Sequence, residues 1–169
     1  MLQIKTKGLK NGDYEIDETE NTEKLEDLLP EFFGDIKLTG ILTKSDRRLT
    51  FNGKAECDAK MFCDISGEEY IERIVADINV IFIINNELYF AQRESGQFDI
   101  DMDTEIALHE DDFFYDLTQI VRDELSLALP MKRVSPEYRG KDFAECFPQY
   151  SAKKEVDDRW EKLKDIKLN

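Results

Sequence analysis

Ile36-Lys37-Leu38-Thr39-Gly40-Ile41-Leu42-Thr43-Lys44-Ser45-Asp46-Arg47-Arg48-Leu49-Thr50-Phe51-Asn52-Gly53 is the stretch on which the fold turns. Ile36, Leu38, Gly40 and Leu42 take every second position, and Leu49, Phe51 and Gly53 repeat the pattern. Successive side chains of a strand point to opposite faces, so a period of two marks strands with one face in a core and one in water. Ser45-Asp46 lies between the two runs, and short polar side chains of this kind bond their own backbone in tight turns. The stretch therefore predicts a β-hairpin.

Working outward, a third long strand is expected from Tyr70 through Ile84. Its apolar run Val80-Ile81-Phe82-Ile83-Ile84 fits a buried strand and is far too short to span a bilayer. Asn85-Asn86 reads as a tight turn into a further strand, Leu88–Ala91, because Asn tolerates positive φ. Upstream, strand pieces are expected around Leu2–Lys7 and Tyr14–Ile16, parted by the turn signal Asn11-Gly12. A short helix is expected from Thr22 to Leu29, ended by Pro30.

One helix is plain in the spacing. Phe113/Phe114, Leu117, Ile120/Val121, Leu125 and Ala128 follow a helical period, with Asp111, Asp112 and Asp116 at the positive N-terminal end and Pro130 as the stop. The expected fold is α+β: an antiparallel sheet, closing toward a barrel, covered by the helix over 113–129. Phe82, Ile84, Leu117, Ile120, Val121 and Leu125 are the expected core. Residues 1–130 would form this domain. Residues 131–169 would form a C-terminal extension with a short helix near Val156–Ile166, where Trp160 and Leu163 share a face.

The chain of 169 residues carries a formal net charge of -15, and its distribution is uneven. Residues 94–124 hold 1 Lys/Arg against 11 Asp/Glu, a net of -10, whereas residues 131–169 hold 10 against 8. An acidic chain repels a phosphate backbone unless its cations gather on one face. The balance favours basic protein partners. The three cysteines and an N-terminus without a long apolar stretch favour a reducing, cytoplasmic setting and no membrane.

Few patterns carry chemistry. No phosphate-binding glycine loop and no nucleophile elbow occur. The single histidine, His109, has no nucleophile beside it by any motif and reads as a surface residue next to Glu110. Asp99, Asp101 and Asp103 alternate with Ile100 and Met102, which is the pattern of a strand with one acidic face. The same three carboxylates are the candidates for a metal-dependent nuclease. A calcium loop starting at Asp99 would need Gly where Thr104 stands. Cys57, Cys63 and Cys146 are the candidate metal ligands, but they lack tight pairs, and zinc wants four ligands. No cofactor is expected. Lys132, Arg133, Arg139, Lys141, Lys153 and Lys154 are interleaved with Tyr138, Phe143, Phe147 and Tyr150. That mixture can grip single-stranded RNA by charge and stacking.

Two further stretches carry a resemblance. Asp116-Leu117 opens a helix that closes on Glu124-Leu125-Ser126-Leu127-Ala128-Leu129-Pro130, and the tail reads Asp157-Asp158-Arg159-Trp160-Glu161-Lys162-Leu163. With Phe51-Asn52-Gly53-Lys54-Ala55-Glu56-Cys57-Asp58 upstream, the chain resembles the YceD-like family of bacterial proteins from about Gly40 onward. The resemblance implies a part in accumulation of large-subunit ribosomal RNA and so in ribosome biogenesis, with no catalytic residues. Lys60 stands where that family's first cysteine knuckle places its second cysteine, and Cys146 is the one cysteine left of the second knuckle. The resemblance thus implies the fold without its zinc. Joined to the charge, it points to a non-enzymatic assembly factor. An acidic face of Asp99, Asp101, Asp103, Glu105, Glu110, Asp111 and Asp112 would hold a basic large-subunit ribosomal protein or assembly intermediate. The alternative is direct binding of precursor ribosomal RNA through the basic-aromatic segment 131–154.

Overall fold

The computed structural model describes residues 1–95, 105–141 and 143–148. Its elements run β1 (Gln3–Lys5), β2 (Gly12–Asn21), β3 (Phe32–Ser45), β4 (Arg48–Phe62), β5 (Glu69–Ile84), α1 (Asn86–Ser95), β6 (Ile106–Leu108), β7 (Phe114–Asp116), α2 (Thr118–Ala128) and α3 (Phe143–Cys146). The architecture is α+β, with mostly antiparallel pairing.

The predicted hairpin is the centre of the sheet. β3 and β4 pair antiparallel, and Ser45 stands opposite Arg48 across a two-residue turn. Asp46 supplies the left-handed backbone that the turn needs, at φ 52°. Asn11 fastens the turn from outside. Its amide donates to the Asp46 carboxylate at 3.0 Å, and its carbonyl accepts the Asp46 N–H at 2.9 Å. β5 pairs with β4 from Arg48↔Ile83 to Phe62↔Glu69, as the length of its pattern predicts.

Alternation sends Leu38, Leu42, Leu49, Phe51, Ile78 and Phe82 to one face, where all are fully buried. Gly40 and Gly53 face each other across the ladder beneath the Phe51 ring. A Cβ on Gly53 would stand 2.5 Å from the Thr39 carbonyl oxygen and 2.6 Å from Phe51 Cζ. These glycines are therefore required by a close approach of two strands and a ring.

Four expectations need correction. The sheet runs β2-β3-β4-β5-β6, and among the described residues its outer strands are not paired with each other, so no barrel closes. α2 and the separate β1–β7 ribbon seal the core instead, through Leu2, Ile4, Leu117, Val121 and Leu125. Second, Leu88–Ala91 is not a strand but part of α1, so there is more than one main helix. The Asn85 side chain accepts the N–H groups of Glu87 at 3.1 Å and Leu88 at 3.2 Å, and thus acts as a helix cap where a turn residue was expected.

Third, the covering helix starts at Thr118, not Phe113. Phe113 and Phe114 are exposed, and Phe114–Asp116 pairs with Lys5–Gln3. The Asp116 carboxylate then accepts the Thr118 N–H at 2.9 Å and sets the helix start. Fourth, the expected helix over Thr22–Leu29 shrinks to one 3-10 turn, Thr22–Lys24, and Asp27 at φ 61° breaks any continuation. Of the expected core, Phe82, Leu117, Ile120, Val121 and Leu125 are buried and Ile84 packs half-buried at its margin. The expected terminal helix near Val156–Ile166 lies outside the described residues. Among the described residues, no helix is long and apolar enough to cross a membrane.

Candidate functional site

The acidic candidates fall into two groups. Asp99, Asp101 and Asp103 lie outside the described residues, and so do the nuclease and calcium readings built on them. The other four flank β6, whose parallel pairing with the end of β5 fixes the turn that follows it. There the Asp112 carboxylate accepts the His109 N–H at 2.9 Å, and the His109 carbonyl accepts the Asp112 N–H at 3.0 Å. Lys7 donates to Asp111 at 2.7 Å, and that hydrogen bond and charge hold the Asp111 carboxyl below its ordinary value. Arg48 approaches Glu105 at 3.4 Å. Only the Glu110 carboxylate, of these four, stands without a partner among the described residues.

His109 is more sheltered than a surface reading predicts. Its ring packs 5.6 Å from Tyr89 and 5.8 Å from Phe90, both on α1. Beside it, Thr6, Lys7, Lys44, Leu108, His109 and Asp112 bound a cleft of about 230 Å³. The cleft carries both signs of charge, so it favours neither an anion nor a cation.

The basic candidates are mostly engaged. Arg133 reaches Glu31 at 3.0 Å, while its backbone N–H donates to the Asp64 carboxylate at 2.7 Å. Arg139 is held by Glu72 and by the Val134 carbonyl. These contacts thus pin the segment after α2 to the residue before β3, to the turn between β4 and β5 and to β5 itself. Lys132 and Lys141 remain exposed. Lys153 and Lys154 lie outside the described residues. Tyr138 and Phe147 stack on each other, with ring centroids 6.0 Å apart, which occupies one face of each.

Cys57 and Cys63 do not come together. Cys57 and Cys63 are six residues apart along β4 and its exit, roughly 20 Å in extended chain, against zinc–sulfur bonds of about 2.3 Å. Among the described residues no group of three or more His, Cys, Asp or Glu is placed to hold a metal. Their environments also differ. Burial, and then the neighbouring Asp58 charge, push the Cys57 thiol up to about 11. Burial pushes Cys63 up as well, but N–H groups of Ser135, Ser66 and Ile65 and the Ser66 hydroxyl converge on its sulfur and bring it down to about 6. The Ser135 N–H lies 3.4 Å from that sulfur. Sequence reasoning missed this lowered thiol, because its donors are mostly backbone groups and one of them comes from 72 residues away.

A family model described as large ribosomal RNA subunit accumulation protein YceD matches residues 51–167. The match begins inside β4 and takes in β5, α1, β6, β7, α2 and α3. No curated protein and no solved structure matches the chain.

Proposed function

The chain belongs to the YceD family of large ribosomal RNA subunit accumulation proteins, and from that premise we propose that it serves large-subunit assembly by binding a basic ribosomal protein, without catalysis. Charge is the observation that carries the reading. The net charge is -15, and the two arginines of the segment an RNA would need are held by Glu31 and Glu72. Bare RNA would have to break those pairs, whereas a cationic protein finds carboxylates already in excess.

On this reading the partner meets the stretch around β6. Glu110 is the free carboxylate there, Glu105, Asp111 and Asp112 are its neighbours, and Asp99, Asp101 and Asp103 precede them in the chain. The site of action is the cytoplasm, where large subunits are built.

The test titrates the protein with basic large-subunit ribosomal proteins at 0.1 M and 0.5 M salt. Screening shortens the reach of exposed charges from about 10 Å at 0.1 M, so affinity should fall steeply between the two conditions. The paired reversal Glu110→Lys and Asp111→Lys should weaken the complex further at the lower salt. Binding that ignores salt, or no binding at all, overturns the reading. Precursor ribosomal RNA binding that Lys132→Glu and Lys141→Glu abolish would replace it with the RNA alternative.

A further inference from the structure

β2 leaves one side of its backbone open. It pairs with β3 along its whole length, from Gly12↔Lys44 to Asn21↔Asp35, and it is an outer strand of the sheet. Among the described residues, no backbone group from Gly12 to Glu20 is bonded to anything beyond β3. Every second residue of such a strand turns its N–H and C=O away from the sheet, and an uncovered edge is a template for another strand.

The side chains on this edge decide what can be added. Asp13, Glu15, Asp17, Glu18 and Glu20 make half of the ten residues of β2, and none of the ten is basic. Asp13, Glu15 and Asp17 alternate and so share the exposed face, at a spacing of roughly 7 Å. Tyr14 and Ile16 lie between them, half-buried against the core. The Glu15 carboxylate has no partner among the described residues. Asp17 meets Lys37 only at 3.7 Å, with both side chains exposed.

Like charges directly opposite each other oppose strand pairing, and opposite charges favour it. A second copy of this edge would lay carboxylates on carboxylates. A strand with Lys or Arg at every second position would set cations across from Asp13, Glu15 and Asp17. Apolar residues at its other positions would extend the cover over Tyr14 and Ile16. The row of carboxylates thus bars self-association and admits a cationic strand.

We propose that the β2 edge docks an extended basic segment of a partner protein, added beside β2 as a further strand, with Lys or Arg alternating with apolar residues. The inference rests on the reading that the partner is a basic protein, and it adds a contact at the edge of the sheet opposite β6. Main-chain bonds to the open ladder give affinity, and the carboxylate row gives sign and register.

The experiment uses the full chain and three ten-residue peptides. One alternates Lys and Val, one alternates Glu and Val, and one carries the five Lys and five Val as two blocks. Binding is measured by calorimetry, and amide hydrogen exchange reports which backbone groups become protected. The alternating Lys peptide should bind best and should slow exchange at every second amide of β2. Replacing the three exposed carboxylates, Asp13→Asn, Glu15→Gln and Asp17→Asn, should weaken it about tenfold or more, the combined effect of three cross-strand charge pairs. Circular dichroism checks that this surface variant is folded. Equal binding of the block peptide, no protection in β2, or no effect of the triple variant each overturns the inference. If basic ribosomal proteins still bind in a salt-dependent way while β2 stays unprotected, the edge fails and the basic-partner reading stands. If no basic protein or peptide binds even at low salt, that reading fails and the edge falls with it.

Discussion

Replacing Gly53 by alanine tests the packing at the centre of the sheet. The new methyl would sit 2.5 Å from the Thr39 carbonyl oxygen and 2.6 Å from Cζ of the Phe51 ring. Ordinary carbon contacts begin near 3.5 Å, so both neighbours must retreat by about an ångström. The ring can tilt, but Thr39 belongs to β3, which is paired on both sides and cannot shift alone. Overpacking of this kind costs about 1–3 kcal/mol, and an obstruction made of backbone belongs near the top of that range. Against it, alanine lowers the entropy of the unfolded chain, which favours folding by about 0.4–1 kcal/mol. The net expectation is a loss of about 2 kcal/mol, or roughly 4–8 °C in Tm for a chain of this size. Urea unfolding followed by far-UV circular dichroism measures it. Adding Phe51→Leu removes the ring but leaves the Thr39 oxygen, so the double variant should not recover stability. A Gly53→Ala protein as stable as the parent would refute the close approach.

Three further outcomes follow from other parts of the molecule. Phe82 is fully buried and packs 4.7 Å from the Tyr115 ring, so Phe82→Ala should cost about 3–5 kcal/mol in the same urea assay. Asn85→Ala removes the cap of α1 and should cost about 1 kcal/mol, read as faster amide exchange at Glu87 and Leu88 than in the parent. Cys63 should show thiolate absorbance at 240 nm with a step near pH 6, while Cys57 stays protonated until about 11. Because the folded Cys63 value is depressed below the ordinary 9.0, its stabilisation is complete above pH 9 and lost as pH falls through 6. The stability difference between the parent and Cys63→Ala should therefore widen from pH 6 to 9, and a flat difference would count against the converging donors.

The elements legible in the sequence are those whose cause is local. The alternation of Leu49, Phe51 and Gly53 is a direct print of which face is buried, and the β3–β4–β5 meander follows from it. The helix of Ile120, Val121 and Leu125 was legible for the same reason. Its start was not, because Phe114–Asp116 is drawn out of the helix by pairing with Gln3–Lys5, more than a hundred residues earlier. Periodicity sees neighbours in sequence and is blind to that partner. Asn85 shows a second limit: one side chain can close a hairpin or cap a helix, and only the following chain decides which.

Charge summed along a segment does not locate the carboxylates that are free to act. Summed by segment, the acidic excess lies at residues 94–124, which hold the candidate face. A sum of formal charges does not see neutralisation across the chain. Arg48 comes from β4 to Glu105, and Lys7 comes from beside β1 to Asp111, so part of that excess is already answered. β2 sits in a segment with a smaller sum, 4 Lys/Arg against 9 Asp/Glu over residues 1–34, yet it offers carboxylates next to an open backbone ladder. What attracts a partner is a charge left exposed at a place where something can dock. That quantity is a product of charge and topology. The alternation Asp13, Glu15, Asp17 was present in the sequence throughout, but it acquired meaning only when the strand order made β2 an edge.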